Sequence, residues 1–201
     1  RPESRGISGH SMGGNGALKI AMQNPDIFGS VYALSPSVLG WGKEFTLEHP
    51  SFKSIAEAKS LKDIQNDFYS MVLVAMASTY TYNIDAGPFH GNLPVTFRNG
   101  EKHIDSVTMK IWESKFPLNM LDSHIENIKQ LKGIAVDWGA QDDFPHIPYT
   151  CHEFSKRLKQ ANITHLAEEY QGMHGDKIGG KDGRINTKFI SFFKDNLENS
   201  N

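Results

Sequence analysis

The chain has 201 residues, 38% of them hydrophobic, which is the size of one domain with a sizeable core. Its formal net charge of -2 argues against a nucleic-acid partner or an anionic membrane surface, and no apolar run approaches a membrane span. The one cysteine, Cys151, excludes an internal disulfide.

The opening residues Arg1-Pro2-Glu3-Ser4 carry no initiator methionine, no basic-then-apolar signal segment and no cleavage pattern. Arg5-Gly6-Ile7-Ser8 reads as a short strand and runs into Gly9-His10-Ser11-Met12-Gly13. A helix follows, with Gly14, Ala17, Leu18 and Ala21 on one face and Asn15, Lys19 and Gln23 elsewhere, and Pro25 stops it. Phe28 to Leu34 reads as a buried strand closed by Ser35-Pro36-Ser37. Trp41 lies just past it, where open α/β sheets place ligand-facing residues; a surface-loop or core tryptophan is an equal alternative.

Residues 42–132 are too many for an ordinary crossover. They hold a helical stretch around Ser54 to Gln65, a helix over Phe68–Ser78, an irregular aromatic stretch, and Leu121, Ile125, Ile128 and Leu131 at helical spacing. The whole reads as a helical, cap-like insertion in a single domain spanning 1–201, or else as a thickening of one flank. Gly133–Gly139 is the next strand, ending in the polar turn Ala140 to Pro145. A helix then carries Ile147, Cys151, Phe154, Leu158 and Ala161 on one face, with Cys151 a buried small hydrophobe. His165–Tyr170 is the last strand, leading to Gly172-Met173-His174-Gly175, and the final helix carries Ile185, Phe189, Phe192, Phe193 and Leu197. Strands alternating with helices predict a parallel sheet of about four strands flanked by helices, with the insertion between the second and third.

Glycine, any residue, serine, any residue, glycine between a strand and a helix is the context of a nucleophile elbow. The sharp turn strains the serine backbone and lifts its hydroxyl clear. The amide of Met12, at the helix start, points where an oxyanion forms. In a parallel sheet all strand ends share one edge, so Ser11, the Asp142–Asp143 pair and His174 are predicted to converge. Serine needs a base to become a nucleophile. Histidine titrates near neutrality, and a carboxylate holds its tautomer. Among the histidines, His174 is favoured because its glycine-flanked loop follows the last strand. His146 is the best rival, and His10 is read as shaping the pocket. His49, His90, His103, His124, His152 and His165 read as structural or surface residues. Asp142 is favoured over Asp143 as nearer the strand end. A metal set from Asp142, Asp143, His146 and His152 matches no strong ligand spacing, so no metal or other cofactor is expected.

Arg5-Gly6-Ile7-Ser8-Gly9-His10-Ser11-Met12-Gly13-Gly14, Ala33-Leu34-Ser35-Pro36-Ser37, Asp137-Trp138-Gly139-Ala140-Gln141-Asp142 and Glu169-Tyr170-Gln171-Gly172-Met173-His174-Gly175 together resemble the Putative esterase family. That branch of the α/β hydrolases contains esterase D, feruloyl esterases, enterochelin esterase-like enzymes and mycolyltransferases. The resemblance implies Ser11 as nucleophile, Asp142 as acid, His174 as base and Met12 as one oxyanion amide, with His10 and Trp41 as substrate-binding candidates. It also implies that the chain is the C-terminal half of an α/β-hydrolase sheet. Further strands and the second oxyanion amide would then precede it, and the nucleophile strand would stand as an edge. The expected cover for that edge is an N-terminal companion fragment or a second copy of the chain. The expected partner is a small-molecule ester, and the expected activity is carboxylic-ester hydrolysis through an acyl-enzyme. A non-catalytic binding or assembly role and acyl transfer of the mycolyltransferase type are the rival readings.

Overall fold

A computed structural model describes residues 1–198. In chain order, a 3-10 turn at Pro2–Ser4 leads to strand β1 (Gly6–His10), helix α1 (Met12–Gln23) and strand β2 (Ser30–Leu34). Next come α2 (Ser51–Glu57), α3 (Leu61–Ile64), α4 (Phe68–Tyr80), the strands β3 (Val95–Arg98) and β4 (Glu101–Ile104), and α5 (Ser106–Glu113). Then follow α6 (Pro117–Ser123), α7 (Ile125–Ile128), β5 (Gly133–Gly139), α8 (His146–Gln160) and β6 (Leu166–Tyr170). A π-helical turn (Ile185–Phe189) runs directly into α9 (Ile190–Asn196). The chain divides into two units, one formed by Arg1–Glu44 and the chain from Pro117 onward, the other by Phe45–Phe116.

The first unit is built on a parallel sheet of four strands in the order β1-β2-β5-β6, with β1 and β6 at its edges. Fold class is thus α/β with a helix-flanked parallel sheet, as the strand–helix alternation predicts. Every residue of β2 and β5 is buried, which is why both read as continuous runs rather than alternating ones. On one face Ala17, Leu18 and Ala21 of α1, Leu118 and Leu121 of α6, Ile128 of α7 and Ile147, Cys151, Phe154 and Leu158 of α8 form one core with Val31, Ile134 and Val136. The other face carries Tyr32, Leu34 and Ala135 against Phe189, Phe192 and Phe193. Helix α1 includes Gly13, Gly14 and Gly16, poor helix formers. Its stability therefore comes from the packed face rather than from propensity.

The expected helical insertion differs in three places. The stretch from Ser54 to Gln65 is two helices, because Ser60 and Asp63 form a capping box that starts α3 afresh. Leu118 to Lys132 contains two short helices whose apolar residues join the sheet's core. Val95 to Ile104, read as irregular or unassigned, is an antiparallel hairpin. Its Asn99-Gly100 turn has both residues at positive φ, 53° and 83°, the conformation that a two-residue hairpin turn requires. That dipeptide was the available signal. In the second unit α4 begins at an Asp67 cap that accepts from the Ser70 amide. Within this unit Trp112 is buried and donates to Thr81 Oγ1 at 2.9 Å.

Candidate active site

Ser11 sits between β1 and α1 with φ 57° and ψ -121°. This is a region normally left to glycine, and holding a side chain there costs about 1–3 kcal/mol. The surroundings enforce it. The Ser11 amide donates to the Leu34 carbonyl at 2.9 Å, and the Ser11 carbonyl accepts from the Asn15 and Ser37 amides, each at 3.1 Å. Asn15, expected off the apolar face, is instead buried. Its amide donates to the carbonyls of Ser37 at 2.9 Å and Val38 at 2.8 Å. It therefore clamps the elbow to the loop after β2. The Ser11 hydroxyl makes no capping bond. The Met12 N–H lies in the first helical turn, among the donors that helix geometry leaves without an intrahelical acceptor.

The glycines of the motif are not equivalent. A Cβ on Gly9 would lie 2.2 Å from the Gly13 carbonyl oxygen, and one on Gly14 would lie 3.0 Å from Pro36 Cβ, whereas one on Gly13 would meet nothing within 4 Å. The close strand–helix passage therefore requires a glycine at position 9 and not at position 13. We expect Gly9→Ala to destabilise the chain by roughly 2–4 kcal/mol, and Gly13→Ala to be neutral or stabilising by up to about 1 kcal/mol. Urea midpoints of the two variants check this contrast.

The loops after β5 and β6 are joined edge to edge. The Ala140 amide donates to the Tyr170 carbonyl at 2.8 Å, the Gln141 amide to the Gly172 carbonyl at 3.0 Å, and the Gly172 amide to Gln141 Oε1 at 2.7 Å. This places Asp142 beside His174. His174 Nδ1 donates to Asp142 Oδ2 at 2.8 Å, and Asp142 Oδ1 accepts from the Phe144 amide at 2.9 Å. The Asp142 side chain is fully buried and His174 is 14% exposed. Asp143 is exposed. A carboxylate accepting from Nδ1 leaves the His174 Nε2 lone pair as the proton acceptor.

His174 is also held from the nucleophile side. The His10 ring packs on it with centroids 4.6 Å apart, and His10 Nε2 donates to the His174 carbonyl at 3.1 Å. The edge of Phe144 closes another side at 5.2 Å. Burial holds the His10 pKa below the usual histidine value, while the His174 carbonyl opposes that shift. His10 directly precedes Ser11, so one residue links the elbow to the base loop. Among the described residues no hydrogen bond joins the Ser11 hydroxyl to the His174 ring. Such bonds often tighten only when substrate binds. Trp41 is half-buried in the loop after β2.

The rival histidine has another partner. His146 Nδ1 and its backbone amide both bond Glu44 Oε1, at 2.7 and 3.2 Å. Burial lowers its pKa, against the pull of Glu44. The four residues weighed as a metal set disperse: Asp142 to His174, His146 to Glu44, and His152 to Glu169 at 2.8 Å, with Asp143 exposed. His165 lies between the Ile163 carbonyl and the Ser155 hydroxyl, and His124 bonds the Met120 carbonyl.

Reading the sequence missed a buried group beneath the base loop. Asp137, in the middle of β5, pairs with Arg184 and accepts from the Tyr32 hydroxyl at 2.8 Å. Burial pushes the Asp137 carboxyl up to about 6, with Arg184 and Tyr32 pulling the other way. The signal was a charged residue inside the apolar run Ile134 to Trp138, since buried carboxylates almost always have partners.

The sequence profile of the family described as Putative esterase matches residues 1–182. The chain belongs to that family. Solved structures of similar fold include a ferulic acid esterase, at 15% identity and a TM-score of 0.51, covering 97% of this chain and 52% of that one. An S-formylglutathione hydrolase from Agrobacterium tumefaciens matches at 16% identity and a TM-score of 0.52, covering 98% of this chain and 51% of that one. An acylaminoacyl peptidase from Pyrococcus horikoshii matches at 14% identity and a TM-score of 0.52, covering 100% of this chain and 25% of that one. The likeness places this Putative esterase in the α/β-hydrolase fold. The chain spans about half the length of the ferulic acid esterase and S-formylglutathione hydrolase structures.

Proposed function

We propose that this member of the Putative esterase family is a serine hydrolase that cleaves carboxylic esters through a Ser11–His174–Asp142 triad. The observation that carries the reading is the 2.8 Å bond from His174 Nδ1 to a fully buried Asp142 carboxylate, in a loop tied through His10 to the strained serine.

Each group has one task. His174 Nε2 removes the Ser11 proton as Oγ attacks the ester carbonyl. Asp142 keeps the imidazole in the required tautomer and stabilises the imidazolium. The Met12 N–H donates to the oxyanion that forms on the carbonyl oxygen. As the tetrahedral intermediate collapses, His174 passes the proton to the leaving alcohol and an acyl-serine remains. Water, deprotonated by His174, then attacks the acyl-serine and releases the acid. His10, whose charged form burial disfavours, and Trp41 are the substrate-facing candidates. The family name and the ferulic acid esterase of similar fold support this choice of substrate class.

A fluorophosphonate probe tests the reading, because it reacts with activated serines. Labelling is expected at Ser11 alone, located by peptide mass spectrometry. A folded chain that resists the probe, or takes it on another residue, overturns the proposal.

A further inference from the structure

The segment Met173–Asp176, which carries His174, contains no regular secondary structure, yet its backbone is held at several points. The Tyr170 hydroxyl donates to the Met173 carbonyl at 3.0 Å, and Arg184 Nη2 reaches the Asp176 carbonyl at 3.5 Å. Both donors belong to one buried assembly. The Arg184 guanidinium stacks on the Tyr170 ring, 4.1 Å from its centroid, and its other arm pairs with Asp137 in the centre of β5. Asp137 is braced by the Tyr32 hydroxyl at 2.8 Å, and its own carbonyl accepts from the Ser35 amide at 2.7 Å. The Ser35 hydroxyl lies 3.3 Å from the Tyr170 hydroxyl. Arg184 and Asp137 are 5% and 1% exposed.

We infer that Asp137, Arg184 and Tyr170 are positioning residues that fix the backbone on both sides of His174 and so aim its imidazole at Ser11; the inference rests on His174 being the base. A buried ion pair is a poor device for stability alone, because apolar residues of similar volume usually serve as well. A planar guanidinium has a geometric use here. One fork can engage a carboxylate on the sheet, a carbonyl on the loop and an aromatic face together, which a lysine ammonium cannot do. Rigid support of this kind matters because a displacement of about 1 Å at a reacting group can cost on the order of a hundredfold in rate.

The test uses Tyr170→Phe, which removes only the hydroxyl, and Arg184→Lys, which keeps the charge but loses the fork. Two readouts are taken on the whole chain. One is kcat and KM on a short activated ester, per fluorophosphonate-titrated site. The other is the low-field proton NMR signal of His174 Nδ1, assigned by its loss in Asp142→Asn. For Tyr170→Phe we expect a melting temperature near that of the parent, a kcat lowered about ten- to a hundredfold at little changed KM, and a broadened low-field signal. Arg184→Lys is expected to show a larger effect of the same kind. If it fails to fold, Tyr170→Phe decides alone. Unchanged kcat with an unchanged signal overturns the inference, as does a folded parent chain without the signal. Should the parent show the signal but no ester turnover, and the variants lose the signal, the positioning role stands and the esterase reading falls.

Discussion

Ser11→Ala is expected to lower ester turnover by about 10⁴- to 10⁶-fold while leaving the chain folded. The range follows from what remains. The Met12 amide and the substrate contacts would still stabilise the oxyanion for attack by water, but no acyl-enzyme can form. The fold should tolerate the change, because the Ser11 hydroxyl makes no capping bond and the strained backbone is held by main-chain bonds to Leu34, Asn15 and Ser37. Alanine carries the same Cβ into the same positive-φ conformation, so little strain is added or released. Steady-state turnover of a short activated ester, with a thermal melt on the same sample, is the check. Retention of more than about a hundredth of the parent rate would show that another residue is the nucleophile.

Asp142→Asn is expected to be almost as damaging, at about 10⁴-fold in kcat. The carboxylate accepts from His174 Nδ1 and from the Phe144 amide. An asparagine can keep one of these acceptor roles through its carbonyl, but its NH₂ group then faces the other donor. If the NH₂ faces His174, it donates to Nδ1, so the proton moves to Nε2 and the lone pair that should accept from Ser11 is lost. The substitution is nearly isosteric, so the loss should fall on kcat and on the low-field imidazole signal rather than on KM. Asp143→Asn is the matched control, because that side chain is exposed. An Asp143 variant that loses as much as the Asp142 variant would reverse the assignment.

These two expectations depend on residues distant in the chain, and the sequence specified them unevenly. The elbow was legible because it is local: a glycine, a serine and a helix start within a few residues dictate one turn. The strands β2 and β5 were legible as buried apolar runs, and the alternation of strand and helix implied that their ends share an edge. The hairpin of β3 and β4 was missed although Asn99-Gly100 announced it and Val95-Thr96-Phe97-Arg98 alternates in polarity, since Glu101, Lys102 and His103 after the turn are all polar. Asn15 was read off the apolar face of α1, because periodicity counts hydrophobicity and is blind to a polar side chain buried to bond two loop carbonyls.

By itself, then, the sequence determined the fold class, the elbow and the set of groups able to meet at its rim, since each follows from short-range pattern and strand–helix order. Only the tertiary structure chose among chemically equal candidates. It turned Asp142 rather than Asp143 toward His174, gave His146 to Glu44, and assembled Asp137, Arg184 and Tyr170 beneath the base loop. The physical reason is common to all three. Hydrogen bonds and ion pairs act over about 3 Å, and partners 32, 47 or 102 positions apart in the chain come within that reach only after the sheet has formed.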